Sequence, residues 1–352
     1  MGLPGPCKLQ TSKDGGKDTM MKHAAIWFIA FCLMGTVQAH VPIIASDNEG
    51  LDHATVIKDP LKSWAVFDHL NASGEVHYYT FYLEQGQKLH VSLFIPYEHN
   101  FTPTLAIMGP GIPSQGTPPD YLELPQNAGI MVIQGEQPGQ AVFEPFTPSA
   151  QYNLVQKDMN VTQSGTYYIA VYHPSTTGAY GLAIGYREEF GLAEWIRVPL
   201  DVISIHEWGG QSLGYILAPM LVVVGIGFLF LLQLKNTLAG LFGWTGYTAG
   251  LLYIGSSAMI FMQIFIALDQ TALTSEVFIT LLLGLLPTIA GIIMIKMALE
   301  GKIGRKTRIT MALLGITGLF IWAGLIIGPV LAVLASLLPS AKFKDSYLDQ
   351  RV

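Results

Sequence analysis

Cysteine is almost missing from this chain. Only Cys7 and Cys32 occur among 352 residues, and both precede His40. A protein beginning at His40 has no thiol, which excludes a disulfide framework, a thiolate metal site and a cysteine nucleophile. Charge is scarce too. Asp, Glu, Lys and Arg make up 12% of the chain and hydrophobic residues 51%. That balance, with a mean hydropathy of +0.41, points to membrane spans. Histidine stops at His206, so bis-histidine haem ligation in the apolar half is excluded. A basic face is absent from the polar half: residues 40–211 hold 18 acidic against 6 basic side chains. A nucleic-acid partner is therefore not expected, because phosphates need positive charge. The sequence has no Gly-x-Ser-x-Gly, His-Glu-x-x-His or phosphate loop, and the reading is non-enzymatic.

What is present divides into two textures. The run "MMKHAAIWFIAFCLMGTVQA" has a basic start, a short apolar stretch and small residues at Val37 and Ala39. This is the layout of a secretory signal, with residues 1–19 as an upstream extension, and it predicts His40 as the mature N-terminus. Residues 40–189 then read as an extracytoplasmic β domain and 190–211 as a juxtamembrane segment at the interface. A four-span helical module follows over 212–339, with a polar tail over 340–352.

The β reading rests on runs of Val, Ile, Tyr and Phe separated by Gly, Pro, Asn and Ser: "WAVFDHL", "EVHYYTFYLE", "KLHVSLFIP", "TLAIMG", "GIMVIQG", "GTYYIAVYH" and "YGLAIGYR". Short strands at this spacing predict an all-β sandwich. "GPGIPSQGTPPDYLELPQ" reads as a long loop. "SGEVHYYTFYLEQGQKLHVSLFIP" and the later "SGTYYIAVYHPSTTGAYGLAIGYRE" together resemble the bacterial pre-peptidase C-terminal domain over roughly residues 55–188. The resemblance implies a jelly-roll-like sandwich serving as a secreted accessory or binding module, and it transfers no catalytic residue. The family commonly has Asp where this chain has His77.

Four apolar blocks follow, Leu213–Leu234, Tyr247–Leu268, Val277–Leu299 and Ile309–Leu338, each long enough for a hydrocarbon core that needs about 20 helical residues. Gly328-Pro329 inside the last block predicts a kink or an interfacial end. The third connection, "GKIGRKTR", is basic, whereas the second holds Asp269 and Glu276 with no Lys or Arg. The positive-inside rule then places the β domain outside the cytoplasm of a multi-pass cell-membrane protein. Four spans place the tail, with Lys342 and Lys344, outside as well. Gly246/Gly250 and Gly324/Gly328 offer close-contact faces for a membrane-protein partner.

Two metal readings arise. His40, with a free amine beside its imidazole, and His53 and His90 suit copper. Asp47, Glu49 and Asp52 in "SDNEGLDH" suit calcium through oxygen ligands. Asn71, Asn100 and Asn160 lie in N-x-Ser/Thr sequons and would be glycosylated in a glycosylating host. The leading function is binding of a protein or surface polymer, or service as a complex subunit. Copper handling through His40 is the alternative, and membrane transport the third.

Overall fold

The computed structural model describes residues 40–45, 47–96, 101–233, 238, 240–300 and 303–340. The expected leader, the tail beyond Ser340, His99 and Asn100 lie outside the described residues. The β region and the helices belong to one compact unit.

Eleven strands form the described β region: β1 Val41–Ile44, β2 Thr55–Val56, β3 Trp64–Leu70, β4 Val76–Leu83, β5 Lys88–Ile95, β6 Thr104–Gly109, β7 Gly129–Ile133, β8 Val142–Glu144, β9 Ser149–Asn160, β10 Gly165–Tyr172 and β11 Gly178–Ile184. They make two mixed sheets, ordered β1-β3-β11-β5-β9-β8 and β2-β4-β10-β6-β7. Alternation decides which side chains enter the space between them. Val66 and Leu70 of β3, Tyr79, Phe81 and Leu83 of β4, Leu89, Val91 and Leu93 of β5 and Leu182 of β11 meet there, nearly free of solvent. Each such side chain contributes roughly 1.5–3 kcal/mol by leaving water. All seven expected strand runs are strands. β1, β2, β8 and β9 were not anticipated. β9 hides because its second half is polar and a bulge breaks its alternation opposite Leu93/Phe94.

The proline-rich segment is a loop. It folds over the outer face of the second sheet, where Leu122 packs with Val76, Tyr78, Met108 and Ile130. Tyr78 Oη accepts the Glu123 amide at 2.8 Å.

The juxtamembrane segment is a docked helix, α1, Leu192–Trp208. Glu194 caps its start by accepting the Gly191 amide, and pairs with Lys62 at 2.8 Å. Ile205 and Trp208 cover the outer face of the first sheet, against Ala65, Phe67, Phe94, Ala179 and Ala183. The Trp208 indole donates to the Asp68 carbonyl at 3.0 Å. The expected interfacial ribbon is thus a helix with one side held by protein.

Three helices are long and apolar enough to cross a membrane: α2 Leu213–Gln233, α3 Gly240–Leu268 and α4 Ser275–Leu299. The fourth block is not one span. It forms α5, Arg305–Phe320, and α6, Ile327–Leu337. The break precedes Gly328-Pro329, at residues 321–326, where Trp322, Gly324 and Leu325 adopt positive φ. Pro329 lies in the first turn of α6, where a missing amide hydrogen leaves no helix bond unmade. Arg308, in the first turn of α5, donates to the carbonyls of Ser336 and Leu338 at the end of α6. The two helices therefore run antiparallel, and a cation caps exposed carbonyls.

The glycine faces are filled from within the chain. A methyl on Gly250 would stand 2.7 Å from the Gly291 carbonyl oxygen of α4, and Tyr253 packs against Gly324 and Gly328. The Tyr253 hydroxyl donates to the Leu314 carbonyl at 2.9 Å. Gln263, a deep amide, exchanges two hydrogen bonds with Gln211 at 2.7 and 2.8 Å.

Contacts with the sandwich mark one end of the helices. Phe143 of β8 packs on Ile264, Ala267 and Val277, and the Thr280 hydroxyl donates to the Pro145 carbonyl. Trp195 and Trp322 each donate to a carbonyl of the other's segment. At the opposite end the Phe242 amide donates to the Pro339 carbonyl. The chain therefore reaches Ser340 at the end far from the sandwich. Four connections join the five helices from Leu213 to Leu337, so the described chain ends opposite to where it entered the module. A cysteine at Ser340 and another at Ser73 should be labelled by an impermeant maleimide from opposite sides of sealed vesicles. Labelling from one side would contradict the hairpin.

His206 is buried on α1, and burial pushes its imidazole down to about 4. The unfolded chain takes up a proton near pH 6.5 while the folded chain does not. Stability from this group is full above about 6.5 and is lost as pH falls toward 4. Between pH 7 and pH 5 the loss is about 2 kcal/mol. Unfolding of wild type and His206→Phe at both pH values should show a smaller acid loss in the variant.

Candidate functional site

The polar side chains of the sandwich interior gather at one end. β3 and β11 are neighbours with Asp68 opposite Tyr180, and both residues share a face with core positions. His77 and Tyr79 enter from β4 in the other sheet, in phase with Phe81 and Leu83. The segment before the first 3-10 turn closes the end. Asp47 takes φ 57°, a left-handed conformation that Asp tolerates. Asn48 is then buried while Glu49 is exposed, and the Asn48 carbonyl accepts the Tyr78 amide at 2.8 Å.

Asp68 is the centre. Its Oδ2 accepts from His77 Nδ1 at 2.8 Å, Tyr79 Oη at 2.9 Å, Tyr180 Oη at 3.2 Å and Asn48 Nδ2 at 3.3 Å. Its Oδ1 accepts the His69 amide at 2.8 Å. The two tyrosine oxygens lie 2.6 Å apart, and each hydroxyl has one proton, so when one donates to the other only its partner donates to Asp68. On its far side His77 Nε2 meets Glu75 Oε1 at 2.8 Å. Glu75 Oε2 is fixed by the amides of Asn71 and Ala72. The side chains of Asp68, His77 and Glu75 are 9, 5 and 7% exposed.

These contacts set the charges. Burial raises Asp68, but the His77 hydrogen bond and charge and the His69 amide outweigh it, holding the carboxyl below its usual value. Glu75 behaves alike, burial being outweighed by His77 and the two amides. Burial lowers His77, but Asp68 and Glu75 raise it further, so the imidazole keeps a proton more firmly than usual. Burial and the Asp68 charge push Tyr79 far up, and burial with Tyr79 and Asp68 does the same to Tyr180. Both hydroxyls therefore act as hydrogen-bond donors and acceptors across the physiological range.

The described structure places the expected ligands as follows. His40 Nδ1 is held by the Ser63 hydroxyl at 2.5 Å. Burial, and to a lesser degree the His90 charge, lower His40 to about 4. His90 sits opposite Asp158, bonded at 2.7 Å. His53 is apart from them, exposed and paired with Asp52. The three copper candidates thus each have a different partner and form no metal-competent group among the described residues, and the nitrogen an amine chelate needs is bonded to Ser63. The calcium set does not converge either. Asp47 and Asp52 stay outside, while Glu49 joins Glu75 and His77, whose nearest ligand atoms lie within 4.8 Å of one another. Asn71 and Asn160 are exposed, at the end of β3 and of β9.

Sequence reasoning passed over Asp68, Glu75 and Tyr180. The signal was legible in phase: Asp68 alternates with Val66 and Leu70 on the core side of β3, and an acid at an inward position needs a partner. No family model matches the chain, and none of the curated proteins compared with it matches.

Removing Asp68 leaves His77 half-paired and strands two hydroxyls. Asp68→Ala should lower unfolding stability by about 3–5 kcal/mol, as loss of one partner of a buried ion pair does. Tyr180→Phe, which leaves Tyr79 on Asp68, should lose only about 1 kcal/mol. Equal losses would contradict Asp68 as the centre.

Proposed function

We propose that the protein is an exported membrane protein whose non-enzymatic sandwich stands outside the cytoplasm and binds a protein or surface-polymer partner, as a receptor or complex subunit. The observation that carries this reading is the unequal treatment of the sandwich's two outer faces. α1 covers the first sheet with Ile205 and Trp208. Among the described residues the second sheet carries no α-helix, only the proline-rich loop and the short 3-10 turn at Leu51–His53. That loop exposes Tyr121 at 43% and Leu124 at 51%. Tyr121 rests edge-on against Tyr172, 6.2 Å between ring centroids, which holds an aromatic ring at the surface at low entropic cost.

Orientation is supported by charge. The helix ends far from the sandwich carry Lys296, Arg305, Lys306 and Arg308, and the chain leaves there toward Lys342 and Lys344. The near connection, residues 269–274, has no Lys or Arg. Basic residues mark the cytoplasmic side.

A photo-crosslinking residue at Tyr121 or Leu124 should give one discrete adduct in native membranes, absent when the probe replaces lipid-facing Val222. Tyr121→Asp with Leu124→Asp should weaken partner capture at least tenfold, about 1.4 kcal/mol, without lowering the melting temperature. Adducts of the same pattern from all three positions would remove this face from the account.

A further inference from the structure

We propose that Glu49, Glu75 and His77 form a binding site for one divalent transition metal of the zinc class. Their nearest ligand atoms lie within 4.8 Å of one another, a convergence seen at no other group of three such residues among those described. His77 is oriented as a metal ligand would be. Asp68 holds Nδ1, which fixes the ring and leaves Nε2 facing the carboxylates, the arrangement in which a second carboxylate orients a ligating imidazole. Nε2 and Glu75 Oε1 stand 2.8 Å apart. Two donors each about 2.1 Å from a tetrahedral cation are separated by about 3.4 Å, so zinc would displace the proton that His77 Nε2 shares with Glu75 and open this contact by roughly half an ångström. Glu75 Oε1 bonds His77 Nε2 while its other oxygen takes the Asn71 and Ala72 amides, so loss of the shared proton frees both ligand atoms for the ion.

A second observation comes from Asn48. Its Nδ2 is spent on Asp68 Oδ2, the oxygen that also holds His77, and its Oδ1 is buried with no hydrogen-bond partner. The side chain belongs to a residue only 1% exposed. Reversing the amide would turn oxygen toward the Asp68 carboxylate, so the orphan oxygen is a consequence of the site and not of atom assignment. Asn48 precedes Glu49 in the chain and bonds the same Asp68 oxygen as His77, and a cation would satisfy its buried unpaired acceptor. Exposed Glu49 enters last and closes the site from solvent. One imidazole with carboxylate and amide oxygens suits zinc, whereas an all-oxygen set would suit calcium. This site is independent of the Tyr121 face and of the partner proposed for it.

The test uses the full chain in lipid nanodiscs, stripped by chelator and titrated with zinc ion alone. Elemental analysis and calorimetry should give one zinc per chain, with a rise in melting temperature. Glu49→Gln, a change at an exposed side chain, should weaken zinc at least tenfold and abolish the rise, while the metal-free melting temperature stays that of wild type. His40→Ala should bind zinc as wild type does. Absence of stoichiometric zinc, or equal affinity in Glu49→Gln and wild type, overturns the site.

Discussion

Asp68 holds the molecule together in two directions. Its carboxylate lies between the sheets and gathers His77, Tyr79, Tyr180 and Asn48. Its carbonyl faces outward and takes the Trp208 indole of α1. One residue of a central strand thus ties sheet to sheet and sandwich to helix. A buried carboxylate is tolerable only because donors from several elements converge on it. Such a network contributes less to net stability than apolar residues of the same volume would. Its effect is to fix the register of β3, β4 and β11 and the position of α1, since any slip would leave a buried charge unpaired.

The helical module follows from the same economy of close contact, achieved with glycine. Lipid supplies no hydrophobic force between helices, so approach and hydrogen bonding decide their packing. Gly250 and Gly291 let α3 and α4 touch backbone to backbone. Tyr253 fills the space left by Gly318, Gly324 and Gly328 and bonds to Leu314. α2 joins this arrangement on one side, where Gly227 admits Leu251 and its carbonyl accepts the Tyr247 hydroxyl at 2.7 Å. It exposes Leu221, Val222, Ile226, Leu229 and Phe230, as a helix bordered by lipid does. Because the last apolar block turns back at Trp322, Gly324 and Leu325, the two ends of the module differ in charge, and the sandwich rests on the less basic one.

Much of this could be read in the sequence, and the failures have physical causes. Alternation in "KLHVSLFIP" is strong because one face is buried and the other is not, and that strand was found. β9 was not, since its polar half carries no such contrast. Three spans were visible from length and hydropathy. In the fourth block a kink or interfacial end was expected at Gly328-Pro329, and the full reversal at residues 321–326 was not, because hydropathy does not sense direction and a tight turn of left-handed residues adds no polar signal. Gly246/Gly250 and Gly324/Gly328 announced close contact but not with whom, and the occupants lay elsewhere in this chain. The histidines were weighed as a list, whereas phase along a strand decides which imidazole faces inward. His77 was noticed as a departure from a family pattern, but its partner nine residues earlier was not. Only the register of β3 against β11 shows that Asp68 and Tyr180 share the place His77 enters.

The account stands on the sandwich being fixed to the helices through α1, and not swinging on a tether. Hydrogen–deuterium exchange of the full chain in nanodiscs measures this directly. Amides in the second half of α1, near Ile205 and Trp208, should exchange as slowly as those of β3 and β11, because opening the helix exposes the same apolar face and frees the Asp68 carbonyl. Exchange of that segment at the rate of an isolated peptide, with the strands still protected, would contradict it.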